Sequence, residues 1–249
     1  MLKIKWLSVL FFLALITASC QTHYVAKSIE FKDYRIARDK KTDAKINSMI
    51  QPYADSVHKS MNDVIGIAAI TMDKKEPESL LGNLMADIML SKAKELYVTN
   101  VDAAIMNYGG IRLPAIPEGN ITKGKIFELS PFDNIIVLQV LDGRILQALM
   151  DHIASKNGWP VAGINMQIKN KKAYNVTVNG QPIDINKKYT IALLDYVANG
   201  GDDASMLRGI PQINHGFLYR DAILDFINVA TKSGNKISSK IEKRVSYAE

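Results

Sequence analysis

The sequence predicts a mixed α/β fold built as one domain, because two kinds of apolar pattern alternate along the chain. Compact apolar runs at 101–108, 134–141 and 189–194 are bounded by glycine, proline or polar residues, as buried strands are. Around them, apolar residues recur at helical spacing over 43–62, 79–97, 143–156 and 219–232. No internal repeat of about 20–50 residues is evident. The roughly 200 residues from Asp43 onward suit a single domain with one sizeable core.

In chain order, Ile46, Met49, Ile50, Tyr53, Val57 and Met61 form one stripe, so 43–62 is a helix with Pro52 as a possible kink. A strand follows at 64–71. Ser79 then opens a second helix, in which Leu80, Leu81, Leu84, Met85, Ile88, Met89 and Leu96 make the apolar face and the lysines lie on the other. The run at 101–108 ends in Gly109-Gly110, and Asn179-Gly180 within 176–181 marks a hairpin tip.

The N-terminus carries a different signal. Lys3 and Lys5 precede the apolar run 6–18, which closes on Ser19 and the chain's one cysteine, Cys20. That run is shorter than the roughly 18–20 apolar residues of a membrane span, so it reads as an export signal. Ile16, Thr17, Ala18 and Ser19 before Cys20 resemble a bacterial lipobox. The expected organisation is a signal peptide at 1–19, a polar tether at 20–42 starting from a lipidated Cys20, and the domain at 43–249. The chain is then an exported lipoprotein facing periplasm or cell surface, held to the membrane through lipid alone. The alternative is an ordinary signal peptide with an incidental cysteine. A single cysteine also excludes any intramolecular disulfide, so stability rests on the core.

The formal net charge is +6, from 31 Lys+Arg against 25 Asp+Glu. The basic clusters at 40–41, 169–172 and 187–188 are short and have no aromatics between them, which argues against nucleic-acid binding.

Three turns beside the expected buried strands carry chemistry. In Asn107-Tyr108-Gly109-Gly110-Ile111-Arg112, paired glycines allow a sharp turn that presents an amide and a guanidinium able to grip an anionic oxygen. A strand-ending turn with a surface arginine has the same spacing. Ser130-Pro131-Phe132-Asp133-Asn134 sets a phenylalanine, platform or core, before a strand. Asp195-Tyr196-Val197-Ala198-Asn199-Gly200-Gly201-Asp202-Asp203 ends a strand on an aromatic and follows a double glycine with acids, an arrangement suited to a base on the ring and ribose hydroxyls on the acid. It lacks the alternating oxygen ligands of a calcium loop.

Together with Glu78-Ser79-Leu80-Leu81-Gly82-Asn83-Leu84-Met85-Ala86-Asp87 and Gly119-Asn120-Ile121-Thr122, these segments resemble the C-terminal, substrate-binding domain of the 5'-nucleotidase family, from about Ile65 to Val245. The resemblance implies a four-layer α/β/β/α sandwich whose cleft lies in loops after the strands. It implies that Phe132 and Tyr196 sandwich a base, that Asn107 and Arg112 contact the polar part of the substrate, and that Asp202 takes the ribose hydroxyls. Asn134 joins them by the same route, and Lys75 stands where a basic residue reaches the phosphate. Asp203 stands where the family usually has glycine.

Hydrolysis in this family resembles two-metal chemistry on a separate N-terminal domain. The chain's four histidines, His23, His58, His152 and His215, fall in no metal-binding arrangement, and His152 reads as structural. No catalytic residue, bound cofactor or metal is therefore expected in this chain, and divalent metals are expected on a partner metallophosphatase. No Ser-His-Asp grouping offers independent catalysis either. The leading expectation is an extracytoplasmic nucleotide- or nucleoside-binding domain, the substrate half of a 5'-nucleotidase completed by a separate metallophosphatase. The alternatives are a non-catalytic nucleoside-binding lipoprotein, and an interaction lipoprotein that has lost the ligand.

Overall fold

The computed structural model describes residues 28, 30–32 and 43–248. The expected signal, Cys20 and most of the tether lie outside the described residues. The chain divides into two compact units, residues 1–48 and 49–249, and the sheets lie wholly in the second.

Helix α1 (Ala44–Met61) runs through Pro52 and is followed by strands β1 (Val64–Ala68) and β2 (Met72–Asp73). Helix α2 (Leu80–Tyr97) leads to β3 (Ala103–Ile105), β4 (Ala115–Ile116) and β5 (Gly119–Thr122). Next come α3 (Lys123–Leu129), β6 (Ile135–Asp142) and α4 (Gly143–Ser155). Strands β7 (Val161–Ala162), β8 (Ile164–Lys169), β9 (Lys172–Val178), β10 (Gln181–Pro182) and β11 (Lys188–Leu194) follow, then the short helix α5 (Asp195–Ala198). The chain closes with β12 (Gln212–Leu218), α6 (Tyr219–Lys232) and β13 (Val245–Tyr247).

Two sheets dominate: a five-stranded one in the order β12-β6-β11-β3-β7 and a four-stranded one in the order β10-β9-β8-β13. Helix α2 packs on β3, β7, β6 and β11, while α4 packs on β8 and β9 and also on β6 and β11, so each sheet carries a helical layer and α4 is shared by both. This is the layered α/β sandwich expected. The strands buried on both faces are the ones with continuous apolar runs: Ile136 to Leu138 in β6 and Ile191 to Leu194 in β11 are almost fully buried. Two polar residues sit in this core with partners. Gln139 Nε2 donates to the carbonyls of Leu207 and Ile210, and the hydroxyl of Tyr219 donates to the Met85 carbonyl at 2.7 Å.

The two sheets meet at Gly163, between β7 and β8. Its φ is +77°, and a Cβ there would stand 2.5 Å from the Asp102 carbonyl oxygen, so only glycine lets the chain turn from one sheet to the other. At the hairpin tip, Asn179 and Gly180 both have positive φ (51° and 77°), the type I′ signature their sequence predicts.

Helix α2 starts as predicted, with Ser79 Oγ accepting from the Gly82 N–H at 3.0 Å. Glu78 beside it accepts from Asn83 Nδ2 and from the Glu242 N–H, and Asp87 takes a bidentate grip from Arg244 at 2.7 and 2.9 Å. The helix-start motif thus fastens the C-terminal segment to α2.

One expectation needs correction. Lys92 does not lie on a solvent-facing stripe of α2: it is 4% exposed, with its ammonium paired to Asp225 of α6 and to Glu95. Burying its alkyl stem against α6 while pairing the charge makes both compatible with the interface. Helix α1 has the predicted apolar stripe, yet none of its residues is buried.

Candidate functional site

Strands β3 and β11 are parallel neighbours, and β6 lies antiparallel beside β11, so the C-terminal ends of β3 and β11 and the N-terminal end of β6 share one edge of the sheet. The register pairs Leu194 with Ile136, which brings the loops following β3 and β11 beside the loop preceding β6. These loops are the three turns that the sequence marks out. They enclose a cavity of about 270 Å³ lined by Asn107, Gly109, Gly110, Arg112, Phe132, Asn134, Tyr196 and Asp202.

Six of the residues expected at the site therefore line one cavity. Phe132 and Tyr196 are half-exposed, at 45% and 48%, so neither is spent on the core. The guanidinium carbon of Arg112 lies 5.7 Å from the centre of the Phe132 ring, a cation–π distance, and the Arg112 N–H is fixed on the Leu129 carbonyl at 2.9 Å. Lys75 is the exception. It lines an adjoining cleft with Lys74, Glu76, Tyr108, Leu113, Pro114 and Arg112, and pairs with Asp73 at 3.6 Å. Arg112 is common to the cavity and the cleft.

Lys74 adds a second cation to that cleft. Burial, and then the Arg112 guanidinium beside it, hold its ammonium below the usual lysine range, and Nζ donates to the Ile111 carbonyl at 2.7 Å. Burial pushes the Tyr108 hydroxyl up to about 12, and that hydroxyl donates to the Lys75 carbonyl.

At the polar end of the cavity, Asn107 is 2% exposed. Its Nδ2 donates to Asp202 Oδ2 at 2.5 Å, and its Oδ1 is buried without a hydrogen-bond partner. A buried acceptor in a cavity wall is a place where a ligand donor gains a bond without displacing a protein one. Gly109 and Gly110 pack closely on the Asn107 amide: a Cβ on either would stand 3.1 and 3.2 Å from it, and one on Gly110 would stand 2.9 Å from Met106 Cε.

Two residues that sequence reading gave no site role, Arg220 and His152, hold the cavity loops, and a third, Lys156, pairs beside them. Arg220, at the start of α6, donates to the carbonyls of Ser130, Pro131 and Phe132 and pairs with Asp133, fixing the Phe132 loop from behind. His152 donates from Nε2 to the Asp202 carbonyl at 2.9 Å and meets the Trp159 ring edge-on at 5.5 Å, so its contacts are structural ones. Lys156 pairs with Asp203 at 2.9 Å. Asp203 is thus balanced by a cation and is not part of the cavity wall.

The described residues do not fit a metal ion. His152 is committed to Asp202 and Trp159, His215 stacks on Tyr97 at 4.7 Å, and no group of three or more His, Cys, Asp or Glu among the described residues stands together. Nor is any helix among them long and apolar enough to cross a membrane.

The model of the family described as 5'-nucleotidase, C-terminal domain, matches residues 54–209. The trifunctional nucleotide phosphoesterase protein YfkN of Bacillus subtilis (strain 168) is 33% identical over 207 residues, covering 74% of this chain and 14% of that protein. The 5'-nucleotidase of Vibrio vulnificus (strain CMCP6) is 28% identical over 204 residues, covering 75% of this chain and 34% of its own length. Among solved structures, the 5'-nucleotidase precursor from Thermus thermophilus superposes with a TM-score of 0.69 at 26% identity, over 82% of this chain and 43% of that one. The chain spans about a third or less of the length of these two curated relatives.

Proposed function

Since the chain belongs to the 5'-nucleotidase C-terminal domain family, we propose that it is the substrate-recognition half of a 5'-nucleotidase, binding a nucleotide or nucleoside outside the cytoplasm and acting with a separate metallophosphatase. The convergence of Phe132, Tyr196, Asn107, Asp202 and Arg112 on one cavity carries this reading. Two half-exposed aromatics offer faces to a base, a carboxylate and a buried amide oxygen accept sugar or base donors, and a guanidinium meets an anionic group. Arg112 joins the cavity to the cleft of Lys74, Lys75 and Glu76, so a phosphate on a base-bound nucleotide meets three cations set against the Glu76 carboxylate and the Lys75–Asp73 pair.

The chain's own residues bind and orient in this reading. In this reading the metal ions that activate water would be held by the partner chain. Lipidation at Cys20 would hold the domain at the membrane where the partner meets it.

Isothermal titration of the full chain with adenosine, AMP and UDP-glucose tests the binding half of the proposal. Binding of a nucleoside or nucleotide is expected; no heat with any of the three would overturn it. Mixing the chain with a candidate metallophosphatase and following AMP hydrolysis tests the other half, where an unchanged rate at every ratio rejects the partnership.

A further inference from the structure

Tyr196 brings a hydroxyl to a position that needs only an aromatic face. Its Oη donates to Asp202 Oδ1 at 3.0 Å and accepts from the Asp202 N–H at 3.3 Å. The remaining polar atoms of Asp202 are also held: Oδ2 by Asn107 Nδ2 at 2.5 Å, and the carbonyl by His152 Nε2 at 2.9 Å. Asp202 has left-handed backbone angles, φ 50° and ψ 38°, a region that aspartate enters more readily than most residues. Four hydrogen bonds from three separate segments hold it there.

Gly201 makes the arrangement possible. A Cβ there would lie 2.5 Å from two carbons of the Tyr196 ring, so the ring lies directly on the loop backbone and its hydroxyl reaches the next residue. Each carboxylate oxygen has two acceptor positions. With Tyr196 on one oxygen and Asn107 on the other, each keeps one acceptor position, and Asp202 lines the cavity. Two fixed acceptors on one carboxylate match the two hydroxyl donors of a vicinal diol.

We propose that Tyr196 is a positioning residue for sugar recognition: its hydroxyl locks the Asp202 carboxylate in the orientation that accepts both ribose hydroxyls. The inference rests on the nucleoside-binding reading above. The aromatic that stacks on the base and the acid that selects the sugar then form one rigid unit, and selectivity for ribose over a sugar without hydroxyls depends on a group that touches neither hydroxyl.

The test is calorimetric titration of the full chain and of its Tyr196→Phe variant with adenosine and 2',3'-dideoxyadenosine. The variant keeps the ring face, and dideoxyadenosine, which lacks both hydroxyls, reports on that face alone. The ratio of adenosine to dideoxyadenosine affinity should fall about tenfold from wild type to variant, the scale of one hydrogen bond to a charged group. Equal losses for both ligands, or no loss for adenosine, would overturn the positioning role while leaving the nucleoside site in place. Wild-type chain that binds neither compound would instead overturn the nucleoside reading itself.

Discussion

Asn107 and Asp202 are 95 residues apart in sequence, and their side chains meet through a 2.5 Å hydrogen bond that joins the loop after β3 to the loop after β11. Asn107 is almost wholly buried, so its amide depends on that carboxylate. Asp202→Ala leaves a buried donor without an acceptor and should cost about 1–3 kcal/mol in unfolding free energy. A double-mutant cycle with Asn107→Ala, measured by urea denaturation, should show a coupling well above about 0.5 kcal/mol; additive losses would mean that the two loops are not tied in solution.

Phe132 is the simplest probe of the aromatic platform. It is half-exposed and its loop is held from behind by Arg220, so Phe132→Ala should leave the melting temperature nearly unchanged. Adenosine binding should weaken by about 1–3 kcal/mol, the scale of base–aromatic stacking. Equal affinities for wild type and variant in calorimetry would remove Phe132 from the site.

Arg220 acts on the same loop at a distance from any ligand. Its guanidinium serves the carbonyls of residues 130, 131 and 132 together and pairs with Asp133, which a lysine cannot reproduce with its single ammonium. Arg220→Ala should destabilise the fold by about 1–3 kcal/mol and loosen nucleoside binding. Arg220→Lys should restore little of either. Thermal melts and titrations of the two variants check this, and full recovery in the lysine variant would show that charge alone suffices.

Asp203 gives a prediction in pH. The Lys156 ammonium beside it holds its carboxyl below the usual aspartate range. A carboxyl depressed in the folded state adds stability above its unfolded pKa, and that contribution is lost as pH falls through the folded value. The pair is exposed, so the contribution is small. In an NMR titration, Lys156→Met should move the Asp203 midpoint upward; an unmoved midpoint would place the cation elsewhere.

The long elements were legible because each writes its burial into local periodicity. Helix α6 spans the residues predicted, and α4, β6 and β11 end within one or two residues of the expected limits. Strands such as β2, β4, β7 and β13 have two or three residues each, too few to show alternation, and β12 is largely exposed at a sheet edge. Helix α1 shows the converse: its stripe reported amphipathicity, and amphipathicity alone does not say that a face is covered. Within the site, residues that face the cavity sit in recognisable turns. Arg220 and His152 do not, because each acts on a loop far away in sequence, and no local pattern records a contact of that kind.

Residues 240–247 complete structure begun at residues 78–87. Val245 to Tyr247 supply the parallel edge strand beside β8, Arg244 grips Asp87, and the Glu242 N–H and Lys240 carbonyl satisfy Glu78 and Asn83 at the head of α2, across separations of 157 to 164 residues. Contacts so distant form late, because the loop they close is long. A nascent chain cannot make them until residues 240–247 have emerged, so the head of α2 stays unfastened while the intervening sheets are being synthesised.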